Sequence, residues 1–427
     1  MKNVLFITYA WPPSGKATLH WPLAMLQHLP KHGWQPSVLT TDEDTFSHKD
    51  ESLVKKIPKN LHIIKTSANE PFHLYRKFIG KKDSSPLLAS EAMSTTNTSL
   101  RHKLALWIRL NLFIPDARVG WYFSAVPAGK KFLRSHTMDA IVTIGPPHSA
   151  HLIGWKLSKK FNIPHVPILI DPWVDIVYYH NLHRSKFSSS IDIFFERKVL
   201  QNAKHVIFVT NTTLSDYHKK YSFLQEKSSV LYWGYNEEYF SDRFPTKSLE
   251  NDDNSKEKII LHAGNMYDYQ NPIALWKCVK NEIANGKKLR LRFLGTLSPA
   301  VKKSLEEFSL LPFCDFIGFL PYENIVEELY KADYLLVCAA EKRHLPGKLF
   351  EYLRVGKPII AFGDDNVEVA EMLQLSNSGI LFSHNFTGNI FDAIKNVQPN
   401  IEFAKQFSRE KIAEGLSGML RSIITKT

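Results

Sequence analysis

Short apolar runs alternate along the chain with stretches in which apolar residues recur every three or four positions. Val4-Leu5-Phe6-Ile7-Thr8-Tyr9 has the composition of a buried strand. Leu19, Leu23, Leu26 and Leu29 then mark one face of a helix that stops near Gly33, and 36–41 is the next strand. The same alternation predicts strands at 139–144, 163–170, 203–210 and 230–235. It resumes with strands at 259–264, 289–295, 314–320, 334–338 and 358–362. Strands alternating with helices argue for an α/β protein with parallel sheets. The polar, acidic stretch 244–257 interrupts the pattern and reads as a linker or exposed loop. Three parts follow: a first domain at 1–240, a second at 258–400, and a helical tail at 401–427 expected to cross back to the first. No short-period repeat of the solenoid kind is visible.

Composition narrows the class. The chain has 427 residues, 44% of them hydrophobic, 22% charged, with a net charge of +12. Such a length suits two or three globular domains. The charge favours an anionic partner. Nucleic acid is not expected, because no compact basic motif with stacking aromatics is present. Residues 47–110 are irregular in pattern, with loop-like Ser84-Ser85-Pro86 and 94–99. There Arg76-Lys77, Lys81-Lys82, Arg101, Lys103 and Arg109 are interleaved with Phe78, Leu104, Leu106, Trp107, Ile108 and Leu110. That mixture suits a helix lying on an anionic membrane surface, and it also fits a packed helix with a solvated basic face. Residues 1–7 run straight into a strand pattern with no leader-like segment, and no apolar run is long enough to span a bilayer. Cys278, Cys314 and Cys338 have no metal-ligand spacing and read as buried thiols. The expectation is a cytoplasmic protein, peripheral on the inner face of the cell membrane, with no metal site.

The most informative stretch for chemistry is 344–360. Pro346-Gly347 breaks what precedes it. Leu349, Phe350 and Leu353 mark a short helix, Gly356 ends it, and a core strand follows Pro358. Free N–H groups at that helix start, with Lys348 beside them, suit phosphate. Glu351 one turn later suits ribose hydroxyls. The same residues fit an ordinary surface i,i+3 Lys–Glu pair. After the first strand, Gly15-Lys16 lies in a loop that phosphate or substrate can approach. It is no P-loop, because the earlier glycine is missing and Ala17 stands where Ser or Thr should be. His148 follows the strand at 139–144, where an imidazole can act as a hydrogen-bond partner or base near neutral pH; a helix-capping loop with an incidental His is the alternative. Asp171 ends the next strand.

Taken together, these segments resemble the GT-B glycosyltransferases, specifically the retaining group-1 (family 4) type in a bacterial polysaccharide-assembly branch. The resemblance rests on 9–15, the helix ending at Gly33-Trp34, 114–121, Gly145-Pro146-Pro147-His148-Ser149, Asp171-Pro172-Trp173 and 345–353. It implies two Rossmann-like domains facing across a cleft, the acceptor mainly on the first and the nucleotide sugar on the second. Glu351 matches the second glutamate of the family's E-x7-E motif. Lys348 matches a donor-phosphate contact, and Gly264-Asn265 a glycine turn at the diphosphate, with Tyr267 in the same loop. Gly347 and Leu349 belong to the same donor site. His148, Asp171 and Lys348 are the candidate catalytic residues; Gly15, Lys16 and His20 lie on the acceptor side. The donor is expected to be UDP- or GDP-linked and the acceptor a saccharide, free or lipid-linked, with no cofactor or metal.

Departures from the pattern are equally specific. Arg343 occupies the first position of E-x7-E, Trp21 a place usually held by arginine, and Gln270-Asn271 the place of a basic phosphate ligand. Trp233 replaces the asparagine of an Asn-Gly turn. Arg343 or Lys342 can serve the diphosphate instead. The same departures also fit a catalytically inactive GT-B scaffold that binds a saccharide or partner enzyme at the membrane. A nucleotide-sugar epimerase on this architecture needs carboxylates near the sugar, against which Arg343 argues.

Overall fold

Aliphatic runs of the first half become the strands of one parallel sheet: β1 (Lys2–Ile7), β2 (Trp34–Thr41), β3 (His62–Thr66), β4 (Ala140–Gly145), β5 (His165–Leu169), β6 (Val206–Phe208) and β7 (Ser228–Val230). Their order is β3-β2-β1-β4-β5-β6-β7. The structure is a computed structural model that describes residues 1–46, 49–68, 100–176, 184–240 and 256–425. The predicted features at 76–78, 81–82, 84–86 and 94–99, and most of the acidic stretch 244–257, lie outside the described residues. The helices are α1 (His20–His28), α2 (Leu100–Asn111), α3 (Tyr122–Ser135), α4 (Ser149–Phe161), α5 (Lys186–Asn202) and α6 (Asn211–Lys220). Central strands buried on both faces account for the near-continuous apolar runs, such as Val4, Leu5, Phe6 and Ile7 without exposure.

A second parallel sheet has the order β10-β9-β8-β11-β12-β13. Its strands are β8 (Lys258–Ala263), β9 (Leu289–Leu294), β10 (Cys314–Phe316), β11 (Tyr334–Cys338), β12 (Ile359–Phe362) and β13 (Gly379–Phe382). Among its helices are α7 (Ile273–Ala284), α8 (Pro299–Glu307), α9 (Tyr322–Lys331), α10 (Gly347–Val355) and α11 (Val367–Leu375). The chain closes with α12 (Arg409–Thr425). The α/β class with two parallel sheets is thus as the alternation predicts. Two compact units result, one of Met1–Leu231 with Ala413–Thr427 and one of Tyr232–Ile412.

Several boundaries differ from the sequence reading. The strand expected at 230–235 ends at Val230, because Gly234 takes a left-handed φ of 64° and Tyr235 pairs instead with Ser408. The strand expected at 314–320 stops at Phe316; Gly318, with φ 80°, turns the chain. Strands β3 and β13 were not foreseen: the first lies within the segment read as irregular, and the second has an apolar run of only three residues, Ile380-Leu381-Phe382. All three cysteines are free; Cys278 and Cys338 are buried and Cys314 half-buried. No helix among the described residues is long and apolar enough to cross a membrane.

Within the first unit, α12 fills a groove beside α1 and β2. Leu416 and Leu420 are wholly buried, the Trp34 indole N–H donates to Ser417 Oγ at 3.1 Å, and Ser417 Oγ in turn donates to the His32 carbonyl at 3.2 Å. Replacing Leu416 by Ala leaves a cavity there, and a loss of about 2–5 kcal/mol is expected in the unfolding transition of this unit. Urea titration followed by tryptophan fluorescence measures it; an unchanged midpoint would show that the tail contributes nothing.

Candidate functional site

Helix α10 owes its position to the core. Leu349, Phe350, Tyr352, Leu353 and Val355 are all fully buried, and Gly356 ends the helix with φ 71°. Pro346 precedes it without a side-chain cap. The Leu349 N–H donates to the Pro346 carbonyl at 2.9 Å, whereas those of Gly347 and Lys348 have no acceptor among the described residues. Leu349 therefore serves the core by its side chain and the turn by its N–H, which leaves Gly347 and Lys348 as the donors at the helix start. A Cβ on Gly347 would lie 3.0 Å from Cδ1 of Trp233, so the indole lies flush against the first residue of the helix.

Lys348 does not pair with Glu351; no ion pair joins them. The Lys348 Nζ sits 3.4 Å from His262 Nε2, at the end of β8. His262 Nδ1 donates to the Leu336 carbonyl at 2.9 Å, which leaves Nε2 as the acceptor facing the lysine. Burial, reinforced by the adjacent ammonium, pushes this imidazole down to about 3, so it is neutral. Lys348 in turn is pushed down to about 8, chiefly by burial. The half-buried cation therefore has an imidazole as neighbour and feels the Glu351 carboxylate at longer range, but it forms no ion pair among the described residues.

Two glycines admit it. Gly264, φ 104°, follows β8, and a Cβ there would come within 2.9 Å of Lys348 Nζ. Gly295, φ 123°, follows β9, and its own Cβ would meet the Gly264 carbonyl carbon and oxygen at 2.7 Å. A side chain at Gly264 would press on the ammonium, and one at Gly295 would displace the Gly264 backbone. The Ala263 N–H donates to Tyr352 Oη at 2.9 Å, which locks the β8 end to α10.

Glu351 points elsewhere. Its Oε1 accepts from Tyr322 Oη at 2.6 Å, and Oε2 has no hydrogen bond among the described residues. Burial raises its pKa, against the pull of Tyr322, Arg409 and Lys348. Asn265 uses its Oδ1 on Thr296, accepting from N at 3.1 Å and Oγ1 at 2.8 Å, so its side chain shapes the turn. Tyr267 is exposed and stacks on Tyr269, centroids 5.8 Å apart and planes 6° from parallel. The Arg343 N–H donates to Glu341 Oε2 at 2.9 Å, in a loop that Asn366 Nδ2 ties through the carbonyls of Ala339, Glu341 and His344.

The first-unit candidates have different surroundings. His148, at the start of α4, is 4% exposed and stacks on Trp173 at 5.1 Å with planes 7° apart. Burial pushes it to about 3, below the range of a base at neutral pH. The capping alternative describes the loop better, with Asp116 as the cap: its carboxylate accepts from Ser149 N at 2.8 Å and Ser149 Oγ at 3.1 Å. Asp171 lies just past β5 in a turn held by two buried carboxylates of α5. The Trp173 indole donates to Asp192 at 2.7 Å, and the Val174 N–H to Glu196 at 3.3 Å. Lys16, one residue after Gly15, lies 6.0 Å from the Tyr9 ring centroid, with Arg118 5.1 Å from the same ring. Burial and the charges of Arg118 and Arg109 push Lys16 down to about 8, although its side chain keeps access to solvent. His20 opens α1 and is half-buried; Trp21 beside it is wholly buried, as a core residue.

Structure thus brings Gly264, Gly347, Lys348 and Glu351 together at one end of the second sheet. It sets His148 and Asp171 at the ends of adjacent strands in the first unit. Sequence reasoning missed His262, Tyr322 and Asn366. Of these only Asn366 carried a local signal, as an N-cap whose Oδ1 accepts from Val369 N at 3.1 Å.

Residues 244–413 match the family of glycosyl transferases group 1. By sequence, no curated protein matches the chain. Solved structures similar in fold include sucrose-phosphate synthase from Thermosynechococcus elongatus, 14% identical with a TM-score of 0.65, each chain covered in full. A glycosyltransferase from Rickettsia africae is 12% identical with a TM-score of 0.63, covering 100% of this chain and 99% of that one. Anabaena HepE in complex with UDP and glucose is 12% identical with a TM-score of 0.55, covering 100% and 98%.

The buried imidazoles make stability depend on pH. His148, His165 and His262 are each held near 3 and His151 well below its usual value, all mainly by burial. The unfolded chain takes up protons below about pH 6.5 and the folded chain does not, so stability falls as pH drops from there. Each histidine contributes a slope of about 1.4 kcal/mol per pH unit. Asp192, raised to about 6 by burial, binds its proton in the folded state over this range and offsets part of the loss. Urea midpoints should decline steadily between pH 7 and 5; a flat profile would contradict the buried neutral assignment.

Proposed function

We propose that this protein, whose residues 244–413 match the group-1 glycosyl transferases and whose fold is shared with solved glycosyltransferases along its length, is a retaining glycosyltransferase. It moves a sugar from a nucleotide diphosphate sugar to a saccharide, free or lipid-linked, in surface polysaccharide synthesis. One observation carries the reading: Lys348, half-buried and without an ion-pair partner among the described residues, faces the gap kept open by Gly264 beside two N–H groups of α10 that have no acceptor among those residues. A diphosphate supplies the anion this arrangement lacks. Oε2 of Glu351 is then the acceptor for a ribose hydroxyl. The solved complexes of HepE with UDP and glucose support a UDP-linked donor.

Transfer breaks the bond between the anomeric carbon and the diphosphate oxygen. The acceptor hydroxyl oxygen bonds to that carbon on the same face, and its proton leaves with the nucleoside diphosphate. Negative charge grows on the departing diphosphate, and Lys348 with the α10 N–H groups stabilises it. Neither His148 nor a metal is needed as a base on this route.

A peripheral position on an anionic membrane suits the lipid-linked acceptor. Leu100, Leu104 and Trp107, spaced i, i+4 and i+7, form an exposed stripe along α2, while Ala105 and Leu110 face the core. A second reading, a non-catalytic scaffold, is favoured by Arg343 standing in the first E-x7-E position and by Trp21 being committed to the core.

Thermal-shift and calorimetric titration with nucleoside diphosphates and their sugars decides between them. One nucleotide should stabilise the protein saturably. Lys348→Ala should weaken it about ten- to hundredfold, leave the unliganded melting temperature unchanged or higher because a buried charge is removed, and lower turnover roughly 10²–10³-fold. Glu351→Ala should also weaken binding. No binding by any nucleotide to the folded protein would favour the scaffold.

The lysine also sets a pH limit. Below about pH 8 it is charged, so nucleotide affinity should be steady there and weaken as pH rises further. Lys348→Arg, whose guanidinium stays protonated, should flatten that decline. Affinity independent of pH from 7 to 9.5 in the wild type would remove Lys348 from the phosphate site.

A further inference from the structure

A cavity of about 370 Å³ opens in the first unit, on the side of α4 facing α5 and the loop before α3. Its wall is Ile114, Val119, Tyr122, Leu152, Trp155 and Phe195. Lys156 and Lys159, one turn apart on α4, complete the lining; both are exposed and neither has an ion-pair partner among the described residues. The volume falls in the range of small-molecule sites, and the wall is apolar except for those two ammonium groups.

The surroundings of the cavity are unusual for a protein surface. Phe123 is 72% exposed and its ring meets that of Tyr122 at 5.7 Å. Phe194 is 52% exposed and meets Phe195 at 5.8 Å, with Lys198 Nζ 5.7 Å from its centroid. Two lining aromatics thus each carry an exposed phenyl ring. Helix α5 also exposes Phe187 and Ile193, and it packs against α2 with its exposed Leu100, Leu104 and Trp107. The Asn111 carboxamide accepts from Ser185 N at 2.6 Å, which fixes the two helices together. Contiguous apolar residues of this kind, rimmed by cations, mark an interaction surface.

We propose that this cavity takes up part of a hydrocarbon chain of an anionic lipid, with the lipid phosphate held by Lys156 and Lys159. An apolar interior calls for a chain, and unpaired lysines at its mouth call for a phosphate beside that chain. Exposed phenyl rings next to the wall are placed to enter the acyl boundary of a bilayer. The inference rests on the membrane reading above and adds to it the place and the ligand. It does not depend on the donor site.

The test uses the full chain and vesicles of phosphatidylcholine, with or without phosphatidylglycerol. Flotation should show binding to the anionic vesicles. Lys156→Ala with Lys159→Ala should weaken partition about tenfold. Phe123→Ser with Phe194→Ser, two exposed sites where folding is not at stake, should also weaken it. Vesicles brominated along the acyl chain should quench tryptophan fluorescence, and Trp155→Phe should remove the largest share of that quenching while leaving vesicle binding in place. Binding without a Trp155 contribution would mean surface adsorption and would overturn the chain site. Equal binding to uncharged vesicles would overturn the phosphate contact. A lipid-free dimer abolished by the phenylalanine changes would assign the face to a second copy of this chain and overturn the proposal. Nucleoside diphosphate binding on the same preparations reports on the donor site separately, so failure of either leaves the other standing.

Discussion

The candidate site of the second unit is organised around a half-buried cation that forms no ion pair among the described residues. Lys348 Nζ faces an imidazole nitrogen. That arrangement exists because His262 is made an acceptor by the Leu336 carbonyl, because two glycines keep Cβ atoms out of the space in front, and because α10 is pinned by its buried face. A partly desolvated charge without an ion pair costs stability, and the proposed diphosphate is the anion that would offset that cost.

In the first unit, buried carboxylates and a hydroxyl hold the loops and strands. Asp116 caps α4, Asp192 and Glu196 hold the Trp173 turn, and His151 and His165 share the Thr143 hydroxyl. The three carboxylates fix the loops after strands β4 and β5. Such loops are rigid supports, on which an exposed group such as Lys16 can be positioned.

Much of this was legible in the chain. The alternation of runs gives both sheets, since buried parallel strands must be continuously apolar, and the helix at 347–355 is bounded by its own Pro346 and Gly356. Lys348 and Glu351 could be picked out, but not their partners. His262 is eighty-six residues from Lys348 and Tyr322 is twenty-nine from Glu351, so no local pattern connects them. His148 misled for the same reason: its place after a strand is visible in sequence, whereas the Trp173 ring that covers it is not. Short edge strands such as β3 and β13 escape because their apolar runs are no longer than those of loops. Trp233 looked like a lost motif residue, and only its closeness to Gly347 shows that the indole packs on the start of α10.

The closing helix has a consequence for biosynthesis. Because Ala413–Thr427 belong to the first unit, that unit cannot be finished when residue 231 leaves the ribosome. The groove that receives Leu416 and Leu420 stays open while the entire second unit is translated. Order of synthesis and order of completion are therefore reversed: the half begun first is the half sealed last. A nascent chain arrested before residue 413 carries an uncovered apolar groove, which makes premature termination a cause of chaperone capture and turnover for this protein rather than a source of a truncated but functional product.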